Sequence, residues 1–171
     1  TLGFNKVRLT GGEPLVREDI ADIAQRISNI DGIKKLALTT NGIRLEKMAE
    51  KLKNAGLNAV NISLDTTDPQ QFRAITGTDA LHKVFLGIEE CERVGLSPIR
   101  LNAVLIKGQN DDQAEKLIDI ARNRNIDVRF IELMPFSDEG ENESLVVKGE
   151  EILSRFPFLK SVTDNESEKS V

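Results

Sequence analysis

The sequence predicts an α/β fold of parallel strands: an incomplete parallel (β/α) barrel of the TIM type, open on one side and lined by polar residues. Three observations carry this reading. Stretches of apolar/polar alternation and stretches with apolar residues at helical spacing follow one another about five times with short connections, the pattern of right-handed parallel units. The strand faces turned away from the helices are repeatedly polar: Arg8 and Thr10, then Thr39 and Asn41, then Asn61, Ser63 and Asp65, then Asn102. The polar strand ends run into glycine turns, as in Thr10-Gly11-Gly12 and Thr40-Asn41-Gly42. A doubly wound sheet buries both faces, and a closed barrel fills its interior with branched side chains. An open barrel with a polar concave side accounts for the alternation better than either.

The first strand is expected over residues 6–10, with Val7 and Leu9 on one face and Arg8 and Thr10 on the other. Gly11 and Gly12 let the chain turn and let another molecule approach the main chain closely. Glu13 brings a carboxylate to that point and Pro14 stiffens the exit, so the turn suits a ligand amino group. A plain strand-to-helix turn favours the same residues and stands as the alternative. Ile20, Ile23, Ala24, Ile27 and Ile30 recur at helical spacing before the Asp31-Gly32 turn. A strand over 33–40 carries Leu36 and Leu38, and a second helix carries Leu45, Met48, Ala49 and Leu52, closed by Gly56.

The third strand, 58–65, alternates most cleanly, with Val60, Ile62 and Leu64 opposite Asn61, Ser63 and Asp65. Asp68-Pro69-Gln70-Gln71 opens a short helix, with Asp68 as cap, Pro69 at the first position and Gln71 placed to close a capping box. Leu81, Val84, Phe85, Ile88 and Cys91 line a longer helix ending near Gly95, which puts Cys91 in the core. A fourth strand over 99–106 leads to Lys107-Gly108, and Asn110 to Gln113 repeat the capping pattern before a stripe of Ala114, Leu117, Ile118 and Ala121. A fifth strand over 127–133 runs into Met134-Pro135. Residues 137–144 read as an acidic loop, 150–156 as a last helix, and 161–171 as too polar to pack. The expected division is a barrel core over 1–136, the start of an extension over 137–160, and a disordered tail over 161–171.

Composition narrows the classes. A chain of 171 residues with 39% apolar residues supports one core. A net charge of -5 with both signs interspersed argues against nucleic acid or an anionic membrane as a general partner. No apolar run is long enough to span a bilayer and the first residues do not read as a signal peptide, so a cytoplasmic protein is expected. The single Cys91 forms no internal disulfide and holds no metal cluster alone.

Five motifs occur in order: Thr10-Gly11-Gly12-Glu13-Pro14-Leu15, Leu38-Thr39-Thr40-Asn41-Gly42, Asn61-Ile62-Ser63-Leu64-Asp65, Lys107-Gly108-Gln109-Asn110-Asp111 and Arg129-Phe130-Ile131-Glu132-Leu133-Met134. Together they resemble the GTP 3',8-cyclase family of molybdenum cofactor biosynthesis, within the radical S-adenosylmethionine (SAM) superfamily. The Gly-Gly-Glu-Pro element alone marks only the superfamily. The resemblance implies that Gly12, Ser63 and Met134 contact SAM, with Gly11 and Glu13 completing the shelf for its methionine amino group. It implies that Arg8, Thr39 and Lys107 contact GTP. It also implies a lyase using S-adenosyl-L-methionine and two four-iron four-sulfur (4Fe-4S) clusters, in which a 5'-deoxyadenosyl radical removes hydrogen from the ribose of GTP. The expected product is (8S)-3',8-cyclo-7,8-dihydroguanosine 5'-triphosphate.

The residues read by themselves agree in part. A guanidinium aimed into a half-dry cavity calls for an anion, either a phosphate or an internal partner such as Asp65. Thr39 and Ser63 offer single directed hydrogen bonds or cap the following turn. Lys107 shares parity with Leu101, Ala103 and Leu105, so only a bulge or the strand's end turns it inward. Met134 suits either a ligand or the core. The family's C-x-x-x-C-x-x-C loop and its second cysteine-ligated cluster have no counterpart here, and Cys91 cannot replace several thiolates. The expectation is a fragment that lacks the first β/α unit, covers the second to sixth strands of the family barrel, holds no cluster and is inactive alone. Two alternatives are a radical SAM enzyme with another substrate and a noncatalytic domain acting through its sheet edges. An open edge at residues 6–10 is expected to make this stretch self-associate or form a homo-oligomer.

Overall fold

The computed structural model describes residues 3–134 and 143–160. The expectations for Pro135, for most of the acidic loop and for the tail over 161–171 lie outside the described residues. Five strands form one parallel sheet: β1 (Lys6–Leu9), β2 (Lys35–Thr40), β3 (Ala59–Ser63), β4 (Ile99–Val104) and β5 (Ile126–Ile131). Their spatial order is their chain order, and every neighbouring pair is parallel. Right-handed crossovers that always step the same way put all their helices on one face. The connections contain α1 (Ile20–Ser28), α2 (Leu45–Asn54), α3 (Pro69–Thr76), α4 (Leu81–Arg93) and α5 (Ala114–Asn123), and α6 (Gly149–Arg155) follows β5. Among the described residues β1 pairs only with β2 and β5 only with β4, so the sheet is open.

The core lies between that one helical layer and the sheet. Leu36 and Leu38, Val60 and Ile62, and Leu101 and Ala103 supply the sheet side, while Ala24, Leu45, Leu52, Val84, Ile88 and Leu117 supply the helices, all buried. Cys91 is in this core, and burial, then the nearby Glu90 and Glu92, push its thiol pKa up to about 12. The opposite face has only one small apolar patch, Ala37 and Ala59.

Several local expectations need correction. Ile30 is 55% exposed because α1 ends at Ser28, one turn before the reach its apolar spacing suggests. Asp68 does cap α3, accepting from the N–H groups of Gln70 and Gln71 at 2.9 Å each. Gln71 closes no capping box, since its side-chain oxygen accepts from Thr66 and its nitrogen donates to Asp112. Asn110 caps no helix. Its buried amide accepts from Ile106 N–H at 2.7 Å and donates to the carbonyls of Asp65 and Val104 at 2.8 and 3.0 Å, pinning β3 to the end of β4.

Two glycines bring α2 and α4 together. A Cβ at Gly87 would lie 2.7 Å from Leu45 Cβ and 2.9 Å from the carbonyl oxygen of Gly42. Gly42 turns the chain after β2 at φ +80, and a Cβ there would meet Ile62 Cγ2 at 2.9 Å. Overpacking of this kind costs about 1–3 kcal/mol, so Gly87→Ala should lower the urea midpoint correspondingly, and an unchanged midpoint would show that α2 and α4 have room to part. Cys91 should resist an aromatic disulfide reagent in the folded protein at pH 8 and react fully in denaturant; rapid native reaction would place it outside the core.

Candidate functional site

Residues in register on parallel strands point to the same side, so the ladder sorts the uncovered face into rows. Nearest the amino-terminal ends are Lys6 and Lys35; next come Arg8, Ala37 and Ala59. The third row is Thr39, Asn61, Arg100 and Asp127, and the fourth Ser63, Asn102 and Arg129. Arg8 and Thr39 therefore share this face, as expected.

The face also carries charge that alternation alone had not singled out. Arg100 is 8% exposed, and its Nε lies 3.3 Å from Asp127 Oδ2, an ion pair too poorly aligned for a hydrogen bond. Its Nη1 is buried with no partner among the described residues. Burial lowers the guanidinium pKa of Arg129; the neighbouring Arg100 and Arg8 lower it further, and Asp127 works against them. The guanidinium stays charged, so the shift reports how costly that charge is in its present surroundings. The alternative partner for Arg8, Asp65, forms no ion pair with it: Asp65 Oδ1 accepts from Val104 N–H at 2.8 Å. Asn61, 1% exposed, has neither amide atom bonded, and Asn102 Oδ1 is likewise unpaired. Each such group costs about 1–3 kcal/mol if left without a partner. Three guanidiniums facing one carboxylate, beside unfilled amides, are the makings of an anion site.

The carboxyl-terminal rim is built differently. Gly11 and Gly12 are exposed, and a Cβ at either would meet nothing within 4 Å, so their main chain is open to a ligand. Glu13 stands beside them, but its carboxylate is already engaged. Oε1 accepts from Leu15 N–H at 3.0 Å and from the Thr40 hydroxyl at 2.6 Å, and Oε2 accepts from Asn41 N–H at 2.7 Å. Glu13 thus fastens the turn after β1 to the turn after β2. Thr40, expected only as part of a strand end, is buried and relays this clamp by accepting from Gly42 N–H at 3.1 Å. Ser63 lines a cavity of about 170 Å³ with Asn41, Asp65, Thr66 and Phe72, so the rims of β2 and β3 share one hollow.

The two remaining expected contacts, Lys107 and Met134, follow the ends of β4 and β5. β4 ends at Val104, and the Lys107 ammonium is 3.5 Å from Glu151 Oε2 of α6, as its parity with the apolar side of β4 foretold. Met134 follows β5 and is 77% exposed. Among the described residues no group of three or more His, Cys, Asp or Glu could hold a metal ion, and no helix is long and apolar enough to cross a membrane. Arg100 and Arg129 could have been found in the sequence. Arg100 shares parity with Asn102, and Arg129 alternates with Val128 and Phe130.

Burial raises the Asp65 pKa above the usual carboxylate range, and the Val104 N–H partly offsets it. A carboxyl with a raised folded pKa is favoured when protonated, so stability is lost as pH rises through that value. Asp65→Asn keeps an acceptor oxygen and should be at least as stable as the parent at pH 7, with the advantage gone below about pH 4. Urea unfolding at both pH values checks this; a loss at pH 7 would mean that the ionised carboxylate is the form the fold prefers.

Over 170 residues the chain is 51% identical to the GTP 3',8-cyclase of Alkaliphilus oremlandii, covering 99% of this chain and 52% of that protein. The GTP 3',8-cyclase of Peptoclostridium acidaminophilum is 46% identical over 94% of this chain and 50% of its own length. The chain thus spans about half the length of these curated relatives. A radical SAM methyltransferase from Sphaerobacter thermophilus superposes with a TM-score of 0.67 at 20% identity, over 90% of this chain and 47% of that one, a likeness of fold. The sequence pattern of the Radical SAM superfamily matches residues 2–121, which takes in the glycine turn, β1 to β4 and the rim hollow: the chain belongs to the radical SAM superfamily.

Proposed function

We propose that the protein carrying this chain is a GTP 3',8-cyclase acting in molybdenum cofactor biosynthesis, and that these residues supply its nucleotide-binding face and part of its SAM-binding rim. One observation carries the reading: Arg8, Arg100 and Arg129 are held on one sheet face with Asp127 as their nearby carboxylate. A nucleotide triphosphate matches that charge, and guanidinium forks bind phosphate oxygens in pairs. Arg100 takes in this reading the place that the resemblance gave to Lys107, which is paired with Glu151. Thr39 and Asn61, side by side in the third row, are placed for the nucleoside hydroxyls.

SAM fits the rim. The open main chain of Gly11 and Gly12 offers carbonyls to the methionine amino group, while Glu13 positions that loop through Thr40 and Asn41 rather than binding the ligand itself. Ser63, in the hollow beside Asn41, and Met134, past the end of β5, complete the proposed set. When bound to a reduced iron-sulfur cluster, SAM supplies the radical chemistry; this chain's part is to place the ribose against it and to exclude water. Cys91, buried and with its pKa pushed up to about 12, is no cluster ligand, so the thiolates come from other parts of the protein. Without them this stretch alone is inactive, and the open edges of β1 and β5 favour its self-association.

In the full-length protein, Arg129→Gln and Arg100→Gln should each weaken GTP binding about tenfold to a hundredfold and flatten its salt dependence. SAM binding should change less than about twofold, since the main chain of Gly11 and Gly12 that holds its amino group follows β1, whereas Arg100 and Arg129 are on β4 and β5. Calorimetric titration measures both, with thermal melts checking the fold. GTP affinity unchanged by both substitutions would remove the phosphate assignment, and absence of GTP binding by the unaltered protein would favour a different radical SAM substrate.

A further inference from the structure

We propose that a pocket at the amino-terminal end of the polar face receives the terminal phosphate of the nucleotide, and that Lys34 and Lys35 there set a preference for triphosphate over monophosphate. The inference rests on the nucleotide reading above. The pocket encloses about 280 Å³, floored by Ala59, walled by Asn58 and Pro98, and lined by Lys34, Lys35 and Arg100. Three cations and no carboxylate line it. Arg100 is the strongest sign of a missing partner, since its side chain is more than nine-tenths buried as a residue and Nη1 bonds to nothing described.

The ladder explains how the pocket arises. Lys35 is in register with Lys6 in the first row, and Arg100 belongs to the third. The second row between them holds only methyl groups on β2 and β3, Ala37 and Ala59. Successive rows lie about 6–7 Å apart along the strands, so an anion resting over Ala59 is reached by Lys35 from one side and Arg100 from the other. Among the described residues neither Lys34 nor Lys35 is within ion-pair distance of a carboxylate. Asn58 is no competitor for the anion, because its oxygen accepts from Leu36 N–H and its nitrogen donates to the Gly56 carbonyl. Each phosphate beyond the first adds reach and negative charge, so a triphosphate gains more from these cations than a monophosphate does.

The test is binding of GTP, GDP and GMP to the full-length protein and to its Lys34→Gln/Lys35→Gln double variant, by calorimetric titration. The double variant should bind GTP about tenfold more weakly and GMP within about twofold of the unaltered protein, so that the GTP-to-GMP ratio shrinks. Lys116→Gln, on the exposed side of α5, should leave both affinities unchanged and so controls for net charge. Inorganic tripolyphosphate should compete with GTP, and about tenfold less well in the double variant. Parallel losses for GTP and GMP, or no loss, would overturn the inference while leaving the nucleotide reading intact if Arg129→Gln still weakens GTP binding about tenfold or more. Inorganic phosphate that binds the lysine pocket with GTP already saturating would also overturn it, as a separate anion site. Failure of the unaltered protein to bind GTP would overturn the reading and the inference together.

Discussion

Helices cover one face of this sheet and leave the other open, and every functional feature follows from that asymmetry. Five parallel strands in simple succession never reverse direction, so each crossover returns over the same side. That side takes the leucines, isoleucines and valines. The other is left with arginines, amides, hydroxyls and two alanines. Among the described residues no helical layer covers them, and Arg100 and Arg8 stand close enough to Arg129 to raise the cost of its charge.

The two ends of the open face do different work. At the carboxyl-terminal end, the Glu13 carboxylate draws the first turn against the second through Thr40 and Asn41, and Asn110 ties β3 to β4. These bonds hold backbone rather than ligand, which is what an open glycine turn requires if its carbonyls are to meet an incoming amino group at a fixed position. Toward the amino-terminal end a cation stands in each row, Arg100 in the third, Arg8 in the second and Lys35 in the first. In the proposed reading, the polyanionic end of the ligand lies toward those cations.

Much of this was legible in the residues. Alternation in Val60-Asn61-Ile62-Ser63 placed a strand and sorted its sides, and the Asp68-Pro69 pair placed a helix start, because both signals are local. Side-chain partners across the fold were not legible. Gln71 and Asn110 have the composition of capping residues but bond to Asp112 and to β3 and β4, which only the tertiary arrangement brings near. The bonds of Glu13 to Thr40 and Asn41 were hidden for the same reason, since these partners lie 27 and 28 positions away. Lys107 was drawn to the site by its motif although strand parity pointed it elsewhere, and parity proved the better guide. The same parity rule, applied to Arg100 and Arg129, marks the residues on which the proposed anion-binding site most depends.

The account stands on the claim that this uncovered face is a nucleotide site whose arginines are neutralised by phosphate. A crystal structure of the full-length protein with GTP tests it most directly. The account requires phosphate oxygens within hydrogen-bond distance of Arg8, Arg100 and Arg129, with Asn61 newly bonded. GTP bound elsewhere, with those guanidiniums met by carboxylates from another part of the protein, would contradict it.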